Sequence, residues 1–261
     1  MISKAHCFFL LAPSPWPLVV SVGAFNLLFS SLLLLKFGTA YMIYFNILNI
    51  SVVSYLWWVG YGGEFNLQGM NSSTLETGVK TAMIFFISSE IFFFFSFFWS
   101  YFHFFLSPTL ETGMLWPPFS VEMFDCLNVP LTNTLILMSS GVTVTMSHHF
   151  LLEGEFKLSS FFLALTIFLG VMFTYFQYEE YQSSFFTLSD SSFGTSFFML
   201  TGFHGIHVII GSLFLVTTLV RFNKFCSSKS ECLSFELASW YWHFVDVVWI
   251  FLYFIIYYLN N

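Results

Sequence analysis

The chain has 261 residues, 57% of them hydrophobic and only 8% charged, and its formal net charge is -7. So much apolar surface excludes an ordinary soluble domain and indicates a polytopic membrane protein. The acidic balance lacks the basic stripe that nucleic-acid binding requires.

Met1 to Pro17 contains no clear small-residue cleavage site, so no cleavable signal is expected there. Pro13, Pro15 and Pro17 punctuate the entry to a first apolar run, Trp16–Leu35. Further runs cover Ala40–Gly60 and Val79–Leu106. A loop rich in proline (Pro108, Pro117, Pro118, Pro130) leads to Val129–Leu152, and Leu158–Tyr178, Phe193–Phe222 and Leu233–Leu259 follow. At ~1.5 Å rise per residue each run can cross a hydrocarbon core of ~30 Å. The third and sixth exceed that length, so those helices should tilt or project into water. The fold class is therefore all-α, with seven transmembrane helices in one integral membrane domain over residues 1–261 and no internal repeat. The 40 Phe residues suggest a T-rich codon bias, and many of them should be interchangeable with Leu.

Glu90 is the only acidic or basic residue between Thr81 and Phe102. A charged group near the centre of a spanning helix costs roughly 2.5–3.5 kcal/mol on insertion scales. That cost falls when the carboxyl is protonated or paired. The placement therefore calls for a partner, a cavity, a proton path or a lipid headgroup. The plainer reading is a neutral acid hydrogen-bonded inside a helix bundle.

Lys4, Lys80, Lys157, Arg221, Lys224 and Lys229 fall on one side of a seven-span topology, and only Lys36 on the other. The bias puts the N-terminus on the cytoplasmic or matrix side. Glu111, Glu122, Asp125, Glu179, Glu180 and Asp190 gather opposite. An acidic face there would attract a basic partner, but it reads better as the other half of the topology signal. Cys7, Cys126, Cys226 and Cys232 share no metal-binding spacing and are expected as free thiols.

His204 and His207 are three apart, hence on one helix face. An H-x-x-H pair is compatible with a metal. His148 and His149 are adjacent and must diverge, His103 ends the Glu90 helix, and His243 lies in the last span. A metal would require these to converge, as in membrane di-iron desaturases. With one spaced pair among seven His, hydrogen bonding between spans is the preferred reading. In the last span Glu236, Trp240 and His243 share one face, and Trp242, Asp246, Trp249 and Tyr253 share a second. His243 and Asp246 are spaced to pair. Trp16, Trp57, Trp58 and Trp116 suit interfacial anchoring, whereas Trp249 sits deeper.

Several segments now carry a resemblance. They are Pro13-Ser-Pro-Trp-Pro-Leu18, Ser89-Glu-Ile-Phe-Phe-Phe94 with Phe97-Phe-Trp99, Trp116-Pro-Pro118 and Val129-Pro-Leu-Thr-Asn-Thr134. Ser147-His-His149 follows, with Gly202-Phe-His-Gly-Ile-His-Val-Ile-Ile-Gly211 and Trp240-Tyr-Trp-His-Phe-Val-Asp-Val-Val-Trp249. Together they resemble the cytochrome c oxidase subunit III family of the haem–copper oxidases, in its mitochondrial form. The resemblance implies two helices (within 1–70) and a five-helix bundle (71–261), separated by a V-shaped cleft that holds phospholipids. It implies a non-redox core subunit of respiratory complex IV, with no catalytic residue and no metal of its own. Haem and copper would reside in partner subunits. The enzyme would be the whole complex, passing electrons from cytochrome c to O2 with proton pumping.

The same resemblance makes subunit I the main contact, beside other complex IV subunits and a respiratory supercomplex as a further candidate. It places the chain in the mitochondrial inner membrane, multi-pass, with the N-terminus in the matrix. It makes Glu90 the carbodiimide-reactive carboxyl of the family, and it implies support for complex stability, proton uptake and O2 access. The candidate lipid-binding residues are Trp57, Trp58, Lys80, Glu90 and Arg221. The structural polar network comprises His103, His148, His149, His204, His207, Glu236, Trp240, His243 and Asp246. One departure stands out. The family commonly carries Arg-Asp after the paired tryptophans, whereas here Val59, Gly60, Tyr61, Gly62, Gly63 and Glu64 follow Trp58. The usual headgroup contacts are therefore in doubt. The alternative reading is a free-standing His-ligated membrane metalloenzyme such as a desaturase. A carrier is disfavoured by the missing inverted repeat.

Overall fold

The computed structural model describes residues 14–67, 73–110, 113–119, 121–225 and 233–260, with side chains left out over 61–67 and 223–225. The helices are α1 (Trp16–Phe37), α2 (Tyr41–Leu67), α3 (Ser73–Leu106), α4 (Val129–Glu153), α5 (Phe156–Gln182), α6 (Ser192–Phe225) and α7 (Leu233–Leu252). The last continues as a π-helical stretch, Tyr253–Tyr258. All seven are long and apolar enough to cross a membrane. Pro13, Lys4, His6, Cys7, Glu111, Cys226, Lys229 and Cys232 lie outside the described residues.

Several boundaries differ from expectation: α3 begins at Ser73, ahead of Val79, and α6 ends at Phe225, beyond Phe222. α2 continues past Gly60 to Leu67, and α5 continues past Tyr178 to Gln182. Glycine costs a helix only about 1 kcal/mol, and no proline stops either segment.

The chain divides into two compact units, with the boundary inside α3 between Thr81 and Ala82. In the first unit, Pro17 lies in the opening turn of α1, where a missing N–H is harmless. Gly38 ends α1 in the left-handed conformation (φ 69) and returns its N–H to Leu34 O. α2 then packs on α1, with Ile50 against Gly23 and the Asn46 amide donating to Asn26 O at 3.3 Å. Most apolar side chains of this pair are exposed and none of those described is fully buried, as suits membrane-facing helices.

The second unit is built on a tight hairpin. Gly154 (φ 88) caps α4, and only Gly154 and Glu155 separate it from α5. Small polar residues let the two helices approach closely. Ser147 Oγ donates to Ser159 O and Ser159 Oγ to Ser147 O, each at 2.9 Å, and Thr143 bonds Thr166 at 2.8 Å.

α7 is the most buried of the spans. Trp242 is fully buried, with its ring against Gly170 of α5 and Gly211 of α6. Its indole N–H donates to Ser140 Oγ of α4 at 2.9 Å. One face further along, Trp249 donates to Thr134 Oγ1 at 3.1 Å and Tyr253 to Cys126 O at 3.4 Å. The stripe Trp242, Trp249 and Tyr253 thus rests on α4 and the segment leading into it.

Candidate functional site: the Glu90–His207 pair

Glu90 lies midway along α3. The same face carries Phe86, Phe93, Phe94 and Phe97, because residues three, four and seven apart line one side of a helix. His207 of α6 meets it: Nε2 stands 2.9 Å from Glu90 Oε2. The His207 side chain is 11% exposed and that of Glu90 22%, so the acid reaches the outer surface of its unit while the imidazole is enclosed. Phe94 packs on the imidazole edge at 4.9 Å and Phe93 at 6.1 Å, and the Tyr241 ring stacks at 6.4 Å. Phe93 also packs on Phe203 at 5.0 Å, fastening α3 to α6 beside the pair.

The protons can be counted. His207 Nδ1 is 2.6 Å from Phe203 O, one turn earlier in the same helix. A carbonyl oxygen only accepts, so Nδ1 carries a hydrogen. In a neutral imidazole Nε2 then holds a lone pair, and Glu90 must donate to it. If the proton crosses, a carboxylate faces an imidazolium. Either way one proton lies between the two residues and the pair has no net charge. This removes most of the penalty of an isolated ion inside a membrane. The arrangement can hold, orient and exchange one proton.

His204, on the same helix, is wholly buried. Its Nε2 lies 3.2 Å from Val245 O of α7, so that nitrogen donates. Its ring sits between Phe173 (5.4 Å) and Trp249 (5.0 Å). The two H-x-x-H imidazoles therefore bond different helices. Among the described residues no three His, Cys, Asp or Glu converge as a set of metal ligands. Cys126, the cysteine within those residues, is a buried free thiol.

The remaining predicted residues are scattered. His148 stacks on Phe235 at 5.6 Å. His149 is exposed and reaches Glu153 at 3.2 Å within its own helix. His103 is exposed near the end of α3 against Phe104. Trp240 is at the surface and Glu236 is half-buried. Asp246 is buried against Gly141 of α4, while His243 is half-buried. No hydrogen bond or ion pair joins His243 to Asp246, which corrects the expected pairing; the carboxyl turns toward α4, where Gly141 leaves room for it. Lys80 pairs with Glu76 at 3.3 Å. Trp57 is half-buried and Trp58 exposed on α2, and Arg221 is half-buried near the end of α6.

A second group escaped the sequence reading. Glu180 does not lie on an acidic outer face: it is 1% exposed, whereas Glu179 is open. The buried stripe of α5 runs Ser159, Leu163, Thr166, Gly170, Phe173, Gln177, Glu180. Its helical period carries Glu180 inward while its neighbour faces out. Asn133 of α4 and Tyr257 of the π-helical stretch are buried too. The spacing of Gln177 and Glu180 from Phe173 was the available signal.

Residues 6–261 match the family described as Cytochrome c oxidase subunit III. The chain is 43% identical over 261 residues to "Cytochrome c oxidase subunit 3" of Formosania lacustris, covering 100% of both chains. It is 42% identical to the protein of that name from Struthio camelus, again over all of both chains. To that of Salmo salar it is 44% identical over 269 aligned positions, with both chains fully covered.

Proposed function

The chain belongs to the cytochrome c oxidase subunit III family, and from that premise we propose that Glu90 and His207 form a neutral clamp between α3 and α6 at the lipid boundary. The chain is a subunit of cytochrome c oxidase, and the complex is the enzyme. In this reading the subunit carries no redox centre; haem and copper belong to its partners, with subunit I as its main neighbour. It stabilises that neighbour while electrons pass from cytochrome c to O2 and protons are pumped. Phospholipid lies against the partly exposed side of Glu90; Arg221 is a further lipid contact in the same unit, and Trp57, Trp58 and Lys80 are lipid contacts of the first unit. The lipid-filled region assists proton uptake and O2 access. The membrane is the mitochondrial inner membrane, with the N-terminus in the matrix.

The observation that carries the clamp is the 2.9 Å contact between Glu90 and His207, with the second imidazole nitrogen already committed to Phe203 O. A clamp needs a donor at position 90, not an acid. Glu90→Gln retains an N–H that reaches Nε2, so the intact oxidase should keep near-normal turnover and pumping. Complete loss of pumping in that variant would place Glu90 on a proton path instead. The histidine-metalloenzyme alternative is disfavoured, since His204 and His207 bond separate partners.

A further inference from the structure

We propose that Gln177, Glu180 and Tyr257 enclose an internal water-binding site, where the last turns of α5 meet the π-helical end of α7. The three side chains are 5%, 1% and 2% exposed. Tyr257 Oη stands beside the Glu180 carboxyl and the Gln177 amide. These side chains interact only loosely: both Glu180 oxygens, both Gln177 amide atoms and Tyr257 Oη are buried without a well-formed hydrogen bond. Five such atoms in one place run against the near-complete pairing of buried polar groups in folded proteins.

The chemistry of the group fits water. The amide donates and accepts, the phenol does both, and the carboxyl supplies two more oxygens. A buried water satisfies two to four such partners at once. A metal ion is a poorer occupant, because one carboxyl and two neutral oxygens fall short of the six or more ligands a hard divalent cation takes. Rings close the site: Tyr257 packs against Phe197 at 5.6 Å and Trp249 at 6.1 Å. Tyr181 bonds Thr201 at 2.6 Å and holds α5 to α6 beside it. Entry is short, because α5 ends at Gln182 and both Glu179 and Gln182 are exposed. Water held here adds to the loose contact between α5 and the end of α7. None of this depends on the role assigned to Glu90.

The test is a density map of the intact oxidase at a resolution that shows ordered water. The expected result is a peak about 2.7–3.2 Å from at least two of the Glu180 carboxyl, Tyr257 Oη and the Gln177 amide. In Gln177→Leu the peak should weaken or vanish. Tyr257 Oη bonded directly to Glu180 with no peak between them would overturn the proposal. So would a peak with contacts of about 2.3–2.6 Å that disappears when divalent cations are removed, since that is a metal ion. Should the variant fail to assemble, the wild-type map alone decides.

Discussion

Glu90 on α3 and His207 on α6 meet at 2.9 Å although 117 residues separate them in the chain. Replacing the acid by an apolar side chain strands Nε2 without a donor. We expect Glu90→Leu to destabilise the α3–α6 contact by about 1–3 kcal/mol, the usual cost of an orphaned buried polar group. Glu90→Gln should cost less than 1 kcal/mol, since one donor remains. The amount of subunit retained in the detergent-solubilised complex, measured on heating, separates the two. Equal losses in both variants would show that the proton itself matters.

The Trp242 ring depends on two glycines. A Cβ on Gly170 would lie 2.7 Å from Trp242 Cη2, and one on Gly211 would lie 3.0 Å from Cε3. Neither ring edge can retreat, because the indole is wedged between α5 and α6 and tethered to Ser140. Gly170→Ala should therefore cost about 1–3 kcal/mol by overpacking and lower the yield of assembled oxidase. Gly205, with open space around its Cβ position, supplies the control; Gly205→Ala should leave assembly unchanged.

Ser140→Ala and Trp242→Phe remove the same hydrogen bond from opposite ends. The first leaves a buried indole N–H unpaired. The second removes that donor, and the serine hydroxyl keeps its bond to Leu137 O at 2.6 Å. Loss of an acceptor from a buried donor costs about 1–3 kcal/mol, so Ser140→Ala should be destabilising despite its small change in volume. Thermal denaturation of the complex checks this. His149→Ala should fall within about 0.5 kcal/mol, because its pair with Glu153 is exposed and confined to one helix.

Much of this was legible beforehand. The seven spans follow from apolar run length, and Glu90 and His207 were each conspicuous, one by its isolation and the other by its spacing. That they bond each other was not readable, because a 3.6-residue period fixes the face of each helix and says nothing about which faces meet. The last span shows the same limit. Its Trp242–Trp249 face is well defined in sequence, but the turn of Asp246 toward Gly141 and away from His243 depends on α4, more than 100 positions distant. Glu180 was misread because a charged residue near a helix end is ordinarily solvated; here the buried stripe of α5 continues to its last turn.

Metal and haem analysis addresses the subunit's place in chemistry. The solubilised complex should carry haem and copper, and this chain, once separated, should carry neither. Iron that stays with the separated chain would revive the histidine-ligand alternative.

The lipid complement should differ from that of relatives with Arg-Asp after the paired tryptophans. Trp58 here is followed by uncharged residues as far as Gly63, and Lys80 already has Glu76 as partner at 3.3 Å. Fewer phosphate ligands should mean weaker retention of anionic phospholipid. Native mass spectrometry of the complex under increasing detergent measures it, and a full anionic complement at high detergent would contradict the expectation.

The end of α7 ties back to α3 through one side chain. Asn260 accepts from the Tyr101 hydroxyl at 2.9 Å and from the Trp116 indole at 3.0 Å, while its amide reaches Ile256 O at 2.7 Å. Because 159 residues separate Tyr101 from Asn260, α3 is threaded into the bilayer long before its partner emerges from the ribosome. Until then Tyr101 and Trp116 lack that acceptor. The contact between α3 and the end of α7 therefore closes only after the last span has joined the bundle.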